Sequence, residues 1–262
     1  MNPRLTPLAA ALSIAFVALA QAQTADLDPV IVSATRFSEP ATNVAANVSV
    51  ITRDDIRNTP ARDLPSMLKG SAGVDVRALY GSLGIDSTID IRGFGETAGS
   101  NTLILLDGQR LNPIDMGSVS WSAIPLDSVQ RIEIMRGAGT VLYGDKATGG
   151  VVNIITDKSG APRAGATVGI GSYDTQTVDL NGAIGNDIGY ANAFARYAHT
   201  GGWRENSQAE QAALSGRGGL YIGKGEAFID YSVYNDRSGL PGYLLSAAYQ
   251  NNPKTSTSPN DS

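Results

Sequence analysis

Between residues 44 and 157 the chain alternates short apolar runs with glycine-rich turns. β-Branched and aliphatic runs bounded by Gly, Asn and Asp are typical of strands. Two stretches look helical instead, because Thr52 and Asp55 form a capping-box pattern and Asp63 precedes a turn or two that ends at Gly70. The pattern predicts an α+β domain with strands at 48–51, 74–76, 88–92 and 102–106 and in the segments beginning at residues 131 and 151.

From residue 163 onward the alternation becomes longer and more regular. Val178 and Leu180 alternate with Asp179 and Asn181, and we predict five strands, at 164–173, 175–185, 188–199, 213–222 and 227–236. Strands of about ten residues with one apolar and one polar face are typical of a transmembrane β-barrel. The short links 185–187 and 223–226 and the longer link 200–212 fit short periplasmic turns and a long outer loop. A soluble β-sandwich also alternates, and it stays open as the alternative.

Residues 1–22 have the pattern of an export signal. Arg4 supplies a positive start, an apolar run covers residues 8–20, and Ala20-Gln21-Ala22 fits a small-x-small cleavage site. The run is shorter than the roughly 20 apolar residues of a membrane-spanning helix. The chain has no cysteine, which excludes a lipoprotein anchor and disulfides. We therefore expect a periplasmic or outer-membrane destination.

Residues 23–43 are predicted to be a flexible lead that carries one short strand. Pro29 blocks a helix and three β-branched residues follow it, whereas the flanks are small or polar. We expect this strand to have no partner in its own neighbourhood. It is either an edge strand of the next domain or a peptide offered for strand addition, in which main-chain hydrogen bonds supply the affinity.

Several motifs follow one another in a fixed order along residues 44–156. They are Asp90-Ile91-Arg92-Gly93-Phe94-Gly95, Leu105-Leu106-Asp107-Gly108-Gln109-Arg110-Leu111-Asn112, Ile124-Pro125, Glu133 with Arg136-Gly137, Tyr143-Gly144, and Gly149-Gly150-Val151-Val152-Asn153-Ile154-Ile155. In order, spacing and residue type they resemble the plug domain of TonB-dependent outer-membrane receptors. The one departure noted is Ala138, where the family often has proline. The resemblance implies a plug at 44–157 that sits inside a barrel.

The resemblance also implies roles for particular residues. The segment Asp28, Pro29, Val30, Ile31, Val32, Ser33 and Ala34 is similar to the TonB box, which an energy-transducing TonB-type protein of the inner membrane binds. The charged residues Arg92, Glu133 and Arg136 correspond to an ionic lock between the plug and carboxylates on the barrel wall. Ordinary surface charge is the alternative reading of these three side chains.

The turns 79–87, 94–101 and 113–121 correspond to the outward tips of a plug, which form the floor of the ligand site in the family. Candidate ligand contacts are Tyr80, Glu96, Met116 and Trp121, with packing inside the loops as the alternative. By resemblance the ligand is a ferric siderophore, cobalamin or a similar large, scarce solute.

The composition argues against an enzyme and against nucleic acid. With His199 as the single histidine and no cysteine, Ser-His-Asp and Cys-His nucleophiles and clustered His or Cys metal sites have no support, and no cofactor is expected. The 20 Lys and Arg residues are scattered among 25 Asp and Glu, which gives a net charge of −5 rather than a basic stripe.

Residues 163–262 are predicted to hold the first five strands of a barrel and to stop in the third outer loop. A bacterial barrel has an even count of about eight or more strands, and a plugged one has about 22. We therefore expect the N-terminal part of a longer receptor that does not transport by itself. The rival function is a soluble periplasmic binding or adaptor module.

Overall fold

The computed structural model describes residues 31–32, 39–40, 47–78, 83–114, 117–137, 139–158 and 160–259. From residue 47 onward the described part forms two bodies. One is a globular domain, residues 47–158, and the other is a sheet of five long strands, residues 163–238, called the wall sheet below. Among the described residues no helix is long and apolar enough to cross a membrane.

The lead contains two very short strands, β1 (Ile31–Val32) and β2 (Glu39–Pro40), which pair antiparallel. The expectation that the strand in the lead has no partner nearby is therefore wrong for the part that is described. Proline lacks an N–H group, so Pro40 suits the end of such a short ladder rather than the middle of a sheet.

The globular domain is built from short strands and helices, as its apolar pattern predicts. Its elements are β3 (Asn47–Ile51), α1 (Arg53–Asn58), α2 (Leu64–Lys69), β4 (Val74–Ala78), β5 (Ser87–Ile91), α3 (Ala98–Asn101), β6 (Thr102–Leu106), β7 (Gln109–Arg110), β8 (Val129–Arg136), α4 (Thr140–Tyr143) and β9 (Gly150–Thr156). A mixed sheet has the order β3-β8-β9-β6-β7, in which β6 and β9 are parallel, and β4 and β5 form a separate antiparallel pair.

The predicted helix caps are present. Thr52 Oγ1 accepts a hydrogen bond from the Asp55 amide at 3.2 Å, and the Thr52 amide donates to Asp55 Oδ2 at 2.8 Å, which confirms the capping box of α1. Asp63 Oδ1 accepts from the Ser66 amide at 2.7 Å, and α2 ends at Gly70. These bonds satisfy amides that have no partner inside a helix.

Two apolar clusters cover the faces of the mixed sheet, so its central strands are buried on both sides. Ile132, Ile134 and Ile154 are fully buried in the larger cluster, to which the helices α1 and α2 contribute. Their neighbours Met135 and Val151 belong to the second cluster. Successive residues of a strand point to opposite faces, which explains why adjacent positions such as Ile134 and Met135 are both apolar.

The wall sheet consists of β10 (Arg163–Gly171), β11 (Thr175–Gly185), β12 (Gly189–Thr200), β13 (Ala209–Ile222) and β14 (Gly225–Ser238), antiparallel and in sequence order. A short helix, α5 (Ser246–Asn251), follows. The strand β13 begins four residues before its predicted start at 213, so the preceding link is shorter than expected. Gln211, which fell inside the predicted link, belongs to the strand and lies on its inner face, where it is 2% exposed and hydrogen-bonded to Ser122.

The wall sheet is polar on the face that meets the globular domain and apolar on the other. On the inner face Thr177 and Arg217 are buried, whereas on the outer face Val168, Ile170 and Ile229 are 73%, 81% and 78% exposed. A soluble sheet has the opposite arrangement, with its apolar face on the core. The alternation predicted from sequence is confirmed, and its apolar side has no protein against it among the described residues.

Candidate functional site

The motif that contains Arg92 forms a loop held by Asp90. The Asp90 carboxylate accepts hydrogen bonds from the amides of Phe94 at 2.9 Å and Gly95 at 2.7 Å. Arg92 has a φ of 77°, in the left-handed region that non-glycine residues seldom adopt. Its side chain is exposed, and a Cβ built on Gly137 would lie 3.7 Å from Arg92 Nη2. The loop therefore places the Arg92 guanidinium beside the residue that follows Arg136.

The other two residues of the predicted ionic lock lie on β8. Glu133 is fully buried and pairs with Arg131, whose Nε lies 2.8 Å from Glu133 Oε1. Arg136 donates to the Ala72 carbonyl at 2.8 Å and to Ser49 Oγ at 2.6 Å. These contacts are inside the globular domain, so the pairing of the three lock residues with wall carboxylates stays a prediction.

The structure shows a charged contact with the opposite polarity, which the sequence analysis missed. On the domain side Asp107 (φ 50°) and Gly108 (φ 82°) make the two-residue turn between β6 and β7. Positive φ at both turn positions is characteristic of a type I′ hairpin, for which Asp-Gly is a favoured sequence. Asp107 accepts from the Thr156 amide at 3.0 Å and from Thr156 Oγ1 at 2.6 Å, which fixes its carboxylate.

On the wall side Arg217 of β13 meets that carboxylate. Arg217 Nη1 lies 2.7 Å from Asp107 Oδ2, and Arg217 also donates to both oxygens of Asp230, at 2.5 and 2.8 Å. Its guanidinium carbon lies 4.5 Å from the centroid of the Phe228 ring. The signal in the sequence was a lone arginine between glycines at an inward position of a strand.

Two further ion pairs cross from the globular domain to the wall sheet. Arg163, the first residue of β10, donates to Asp157 Oδ2 at 2.6 Å, and Arg53 of α1 donates to the same oxygen at 2.6 Å. Lys158 Nζ lies 2.8 Å from Glu226 Oε1. Two ion pairs therefore hold the last residues of the globular domain to the wall sheet, in addition to the covalent connection of the chain.

At the end of the sheet that carries the longer loops, the interface opens into a cavity of about 600 Å³. Trp121 lines it but is only 5% exposed, and its Nε1 donates to the Ser87 carbonyl at 2.7 Å. Ser122 donates to Asp236, and the hydroxyls of Ser120 and Tyr234 are 2.6 Å apart. These two contacts across the interface are made by neutral hydroxyl groups, one to another hydroxyl and one to a carboxylate.

The structure brings together two of the four predicted ligand contacts. Glu96 and Trp121 line a second cavity of about 430 Å³ within the domain. Tyr80 and Met116 lie outside the described residues, as do the predicted signal 1–22 and, in the predicted TonB box, Asp28, Pro29, Val30, Ser33 and Ala34. Ile31 and Val32 of that box form β1.

The single histidine has an acidic neighbour. His199 Nε2 lies 3.7 Å from Asp174 Oδ2 at the loop end of the wall sheet. Within the described ranges no group of three or more His, Cys, Asp or Glu side chains is arranged to hold a metal ion.

The arrangement of the two sheets indicates the class of protein. A mixed sheet of the plug type packs on the polar face of a second sheet, and the other face of that second sheet is apolar. The family model of the TonB-dependent receptor plug domain matches residues 40–151. This part of the chain is therefore a TonB-dependent receptor plug domain of α+β fold. The antiparallel strands that follow it resemble part of a receptor barrel, and the matches support an outer-membrane location. The proteins of this group found by comparison are transporters and receptors.

Among curated proteins, the vitamin B12 transporter BtuB of Vibrio cholerae serotype O1 is 39% identical over 159 residues. The match spans 60% of this chain and 25% of the transporter. Among solved structures, the siderophore receptor PirA from Acinetobacter baumannii has 26% identity and a TM-score of 0.55, and covers 72% of this chain and 31% of its own. The ferripyoverdine receptor of Pseudomonas aeruginosa has 18% identity and a TM-score of 0.63. The match covers 79% of this chain and 28% of the receptor, and it shows a shared fold.

Proposed function

We propose that the chain serves TonB-dependent uptake of a large, scarce solute, a ferric siderophore or cobalamin, across the outer membrane. The observation that supports this most is the wall sheet, which exposes Ile170 and Ile229 on one side and buries Arg217 against the plug domain on the other. Such a sheet suits lipid outside and a polar lumen inside. The alternative, a soluble periplasmic module, would leave that apolar face in water.

In this proposal the outer membrane lipid covers the apolar face, and further strands complete the barrel. Among the described strands β10 and β14 each have one hydrogen-bonded neighbour, so each presents a free edge. An unsatisfied backbone group in lipid costs several kcal/mol, about as much as a broken hydrogen bond in an apolar medium. Five strands alone would therefore not form a transport pathway.

The inner-membrane partner is a TonB-type protein that binds the lead by strand addition. β1 pairs with β2 over only two residue pairs, Ile31 with Pro40 and Val32 with Glu39. So short a ladder offers little resistance to exchange, because a partner strand can replace its few hydrogen bonds and add more. Solute binding at the outer face would come first, and pulling on the lead would then open the plug.

Two experiments test the proposal. After expression with its own N-terminus, the chain should sediment with the outer membrane and need detergent for extraction; recovery as a soluble monomer would overturn the membrane assignment. In a closed receptor that carries this lead, Val30→Pro or Ile31→Pro should abolish uptake of labelled cobalamin or ferric siderophore and spare binding, since proline removes a backbone donor. Ile31→Val keeps that donor and is the matched control. Normal uptake in both proline variants would exclude the strand-addition mechanism.

A further inference from the structure

We propose that Arg217 is the positioning residue that holds the globular domain on the wall sheet, and that it acts through Asp107. The proposal concerns how the globular domain docks on the wall sheet, which is a separate question from transport. Either proposal can therefore fail while the other stands. Its polarity is the opposite of the predicted lock, with the cation on the wall and the carboxylate on the domain. Four features of the interface support it.

The first is burial. The side chains of Arg217 and Asp107 are 6% and 3% exposed. The side chains of the two other ion pairs that cross the interface are more exposed to solvent. Arg163 and Asp157 are 19% and 9% exposed, and Lys158 and Glu226 are 33% and 21% exposed. Solvent weakens exposed pairs, whereas removing one partner of a buried pair leaves a charge without compensation.

The second is that the carboxylate is fixed before it meets the arginine. The turn at Asp107 and Gly108 sets the backbone, and two hydrogen bonds from Thr156 set the side chain. Thr156 is the last residue of β9, the last strand of the globular domain. A carboxylate that is already oriented loses little conformational entropy when the pair forms.

The third is that the arginine is fixed as well. Asp230 stands directly opposite Arg217 in the β13–β14 register and accepts two hydrogen bonds from it. The Phe228 ring packs on the guanidinium at 4.5 Å, within the range of a cation–π contact. The guanidinium therefore presents its remaining edge, with Nη1, to the domain.

The fourth is the charge balance. Arg217 stands between two carboxylates, Asp107 from the domain and Asp230 from the wall. If Asp107 becomes neutral, Asp230 still balances the arginine, so the wall sheet should keep its fold. Loss of the Asp107 charge should therefore weaken docking selectively.

The absence of cysteine from the sequence allows a direct test. Ala213 lies on the inner face of β13 and is 8% exposed, so Ala213→Cys reports opening of the interface through its rate of labelling by a water-soluble maleimide. In detergent micelles, Asp107→Asn should raise that rate about tenfold, as expected when a buried hydrogen bond between two charged groups loses one of the charges. Asp75→Asn is the matched control, because it removes one carboxylate from an exposed pair with Arg77 inside the domain. An unchanged rate in Asp107→Asn overturns the proposal.

A second measurement separates docking from simple destabilisation. If Asp107 acts through Arg217, combining Asp107→Asn with Arg217→Gln should label no faster than the faster single variant. Effects that multiply would mean that Asp107 acts through its other partners, Thr156 or Lys158, which overturns the proposal. Ala147→Cys, a reporter in the domain core that is 0% exposed, should stay slow in Asp107→Asn. If it speeds up equally, the domain is unfolding rather than undocking, and the proposal is again overturned.

Discussion

The ring of Tyr190 on β12 lies against the backbone of Gly219 on β13, so closely that a Cβ at Gly219 would be 2.5 Å from Tyr190 Cε1. This position lets Tyr190 Oη donate to Glu226 at 2.9 Å. The glycine is therefore required by a close approach on the inner face. Gly218, the next residue, points outward and has no atom within 4 Å of such a Cβ.

We predict that Gly219→Ala destabilises the wall sheet and that Gly218→Ala does not. Displacing the Tyr190 ring should lower the free energy of unfolding by about 1 to 3 kcal/mol, the usual effect of overpacking. Urea unfolding in detergent micelles measures the difference. Equal midpoints for the two variants would contradict the close packing of Tyr190 on Gly219.

A second glycine pair makes the same kind of test inside the globular domain. A Cβ on Gly150 would lie 2.5 Å from the Met135 carbonyl oxygen and 2.9 Å from Ile91 Cδ1. Because a backbone atom cannot move aside cheaply, Gly150→Ala should cost about 2 kcal/mol or more. Gly99→Ala is the control, since its Cβ would meet nothing within 4 Å. Comparable stability of the two variants in the same unfolding assay would disprove the steric argument.

The capping box of α1 predicts a dependence of stability on pH. The hydrogen bond from the Thr52 side chain, and after it the one from the Thr52 amide, lowers the pKa of Asp55 below its usual range. A group whose pKa is lowered in the folded state stabilises the protein above its unfolded pKa, about 3.9, and loses that contribution as the pH falls through the folded pKa.

Asp55→Asn should therefore lower the free energy of unfolding by under about 1 kcal/mol at pH 7, since the cap is exposed. The difference from the parent should shrink as the pH falls below about 4. Asp54→Asn removes a charge from the same turn but leaves the capping box of Thr52 and Asp55 in place, so it controls for the helix dipole. A difference that grows toward acid pH would reverse the sign of the prediction.

The apolar outer face of the wall sheet predicts an asymmetry between neighbouring positions of β14. Ile229 is 78% exposed on the outer face, whereas Ser232 lies on the polar inner face, where its Oγ donates to the Ala123 carbonyl at 3.5 Å. In a membrane, Ile229→Arg should cost about 2 to 4 kcal/mol near the bilayer midplane, and Ser232→Arg should cost less. Unfolding from lipid vesicles measures both. A cost for Ser232→Arg that equals or exceeds the cost for Ile229→Arg would argue against lipid on the outer face.

Most of the fold is readable from sequence because its signals are local. The capping box at Thr52, the two-residue period of β11 and the glycines before Val151 each fix structure within a few residues. The bounds of β13 were harder, since Gln211 looks like a loop residue until its partners Arg196 and Ser122 are known.

The charged contact across the interface was not predictable in the same way. Asp107 stood in a recognised motif and Arg217 in a glycine-rich strand, yet nothing local says that residues so far apart meet. Sequence periodicity assigns each residue to a face, but pairing two faces requires the register of both sheets. The pairing of β1 with β2 was not predicted for a related reason. A ladder of two residue pairs is too short to produce a repeating pattern in the sequence.

The shared oxygen of Asp157 bears on how the two bodies can separate. Arg53, in the first helix of the plug domain, and Arg163, in the first strand of the wall sheet, both donate a hydrogen bond to this oxygen. The connection between the globular domain and the wall sheet is thus held by an ion pair on each side, so it cannot act as a free hinge. A rotation about it would break the ion pair between Arg163 and Asp157. The easiest motion therefore begins at the opposite end of the interface, where Ser120 is hydrogen-bonded to Tyr234 and Ser122 to Asp236.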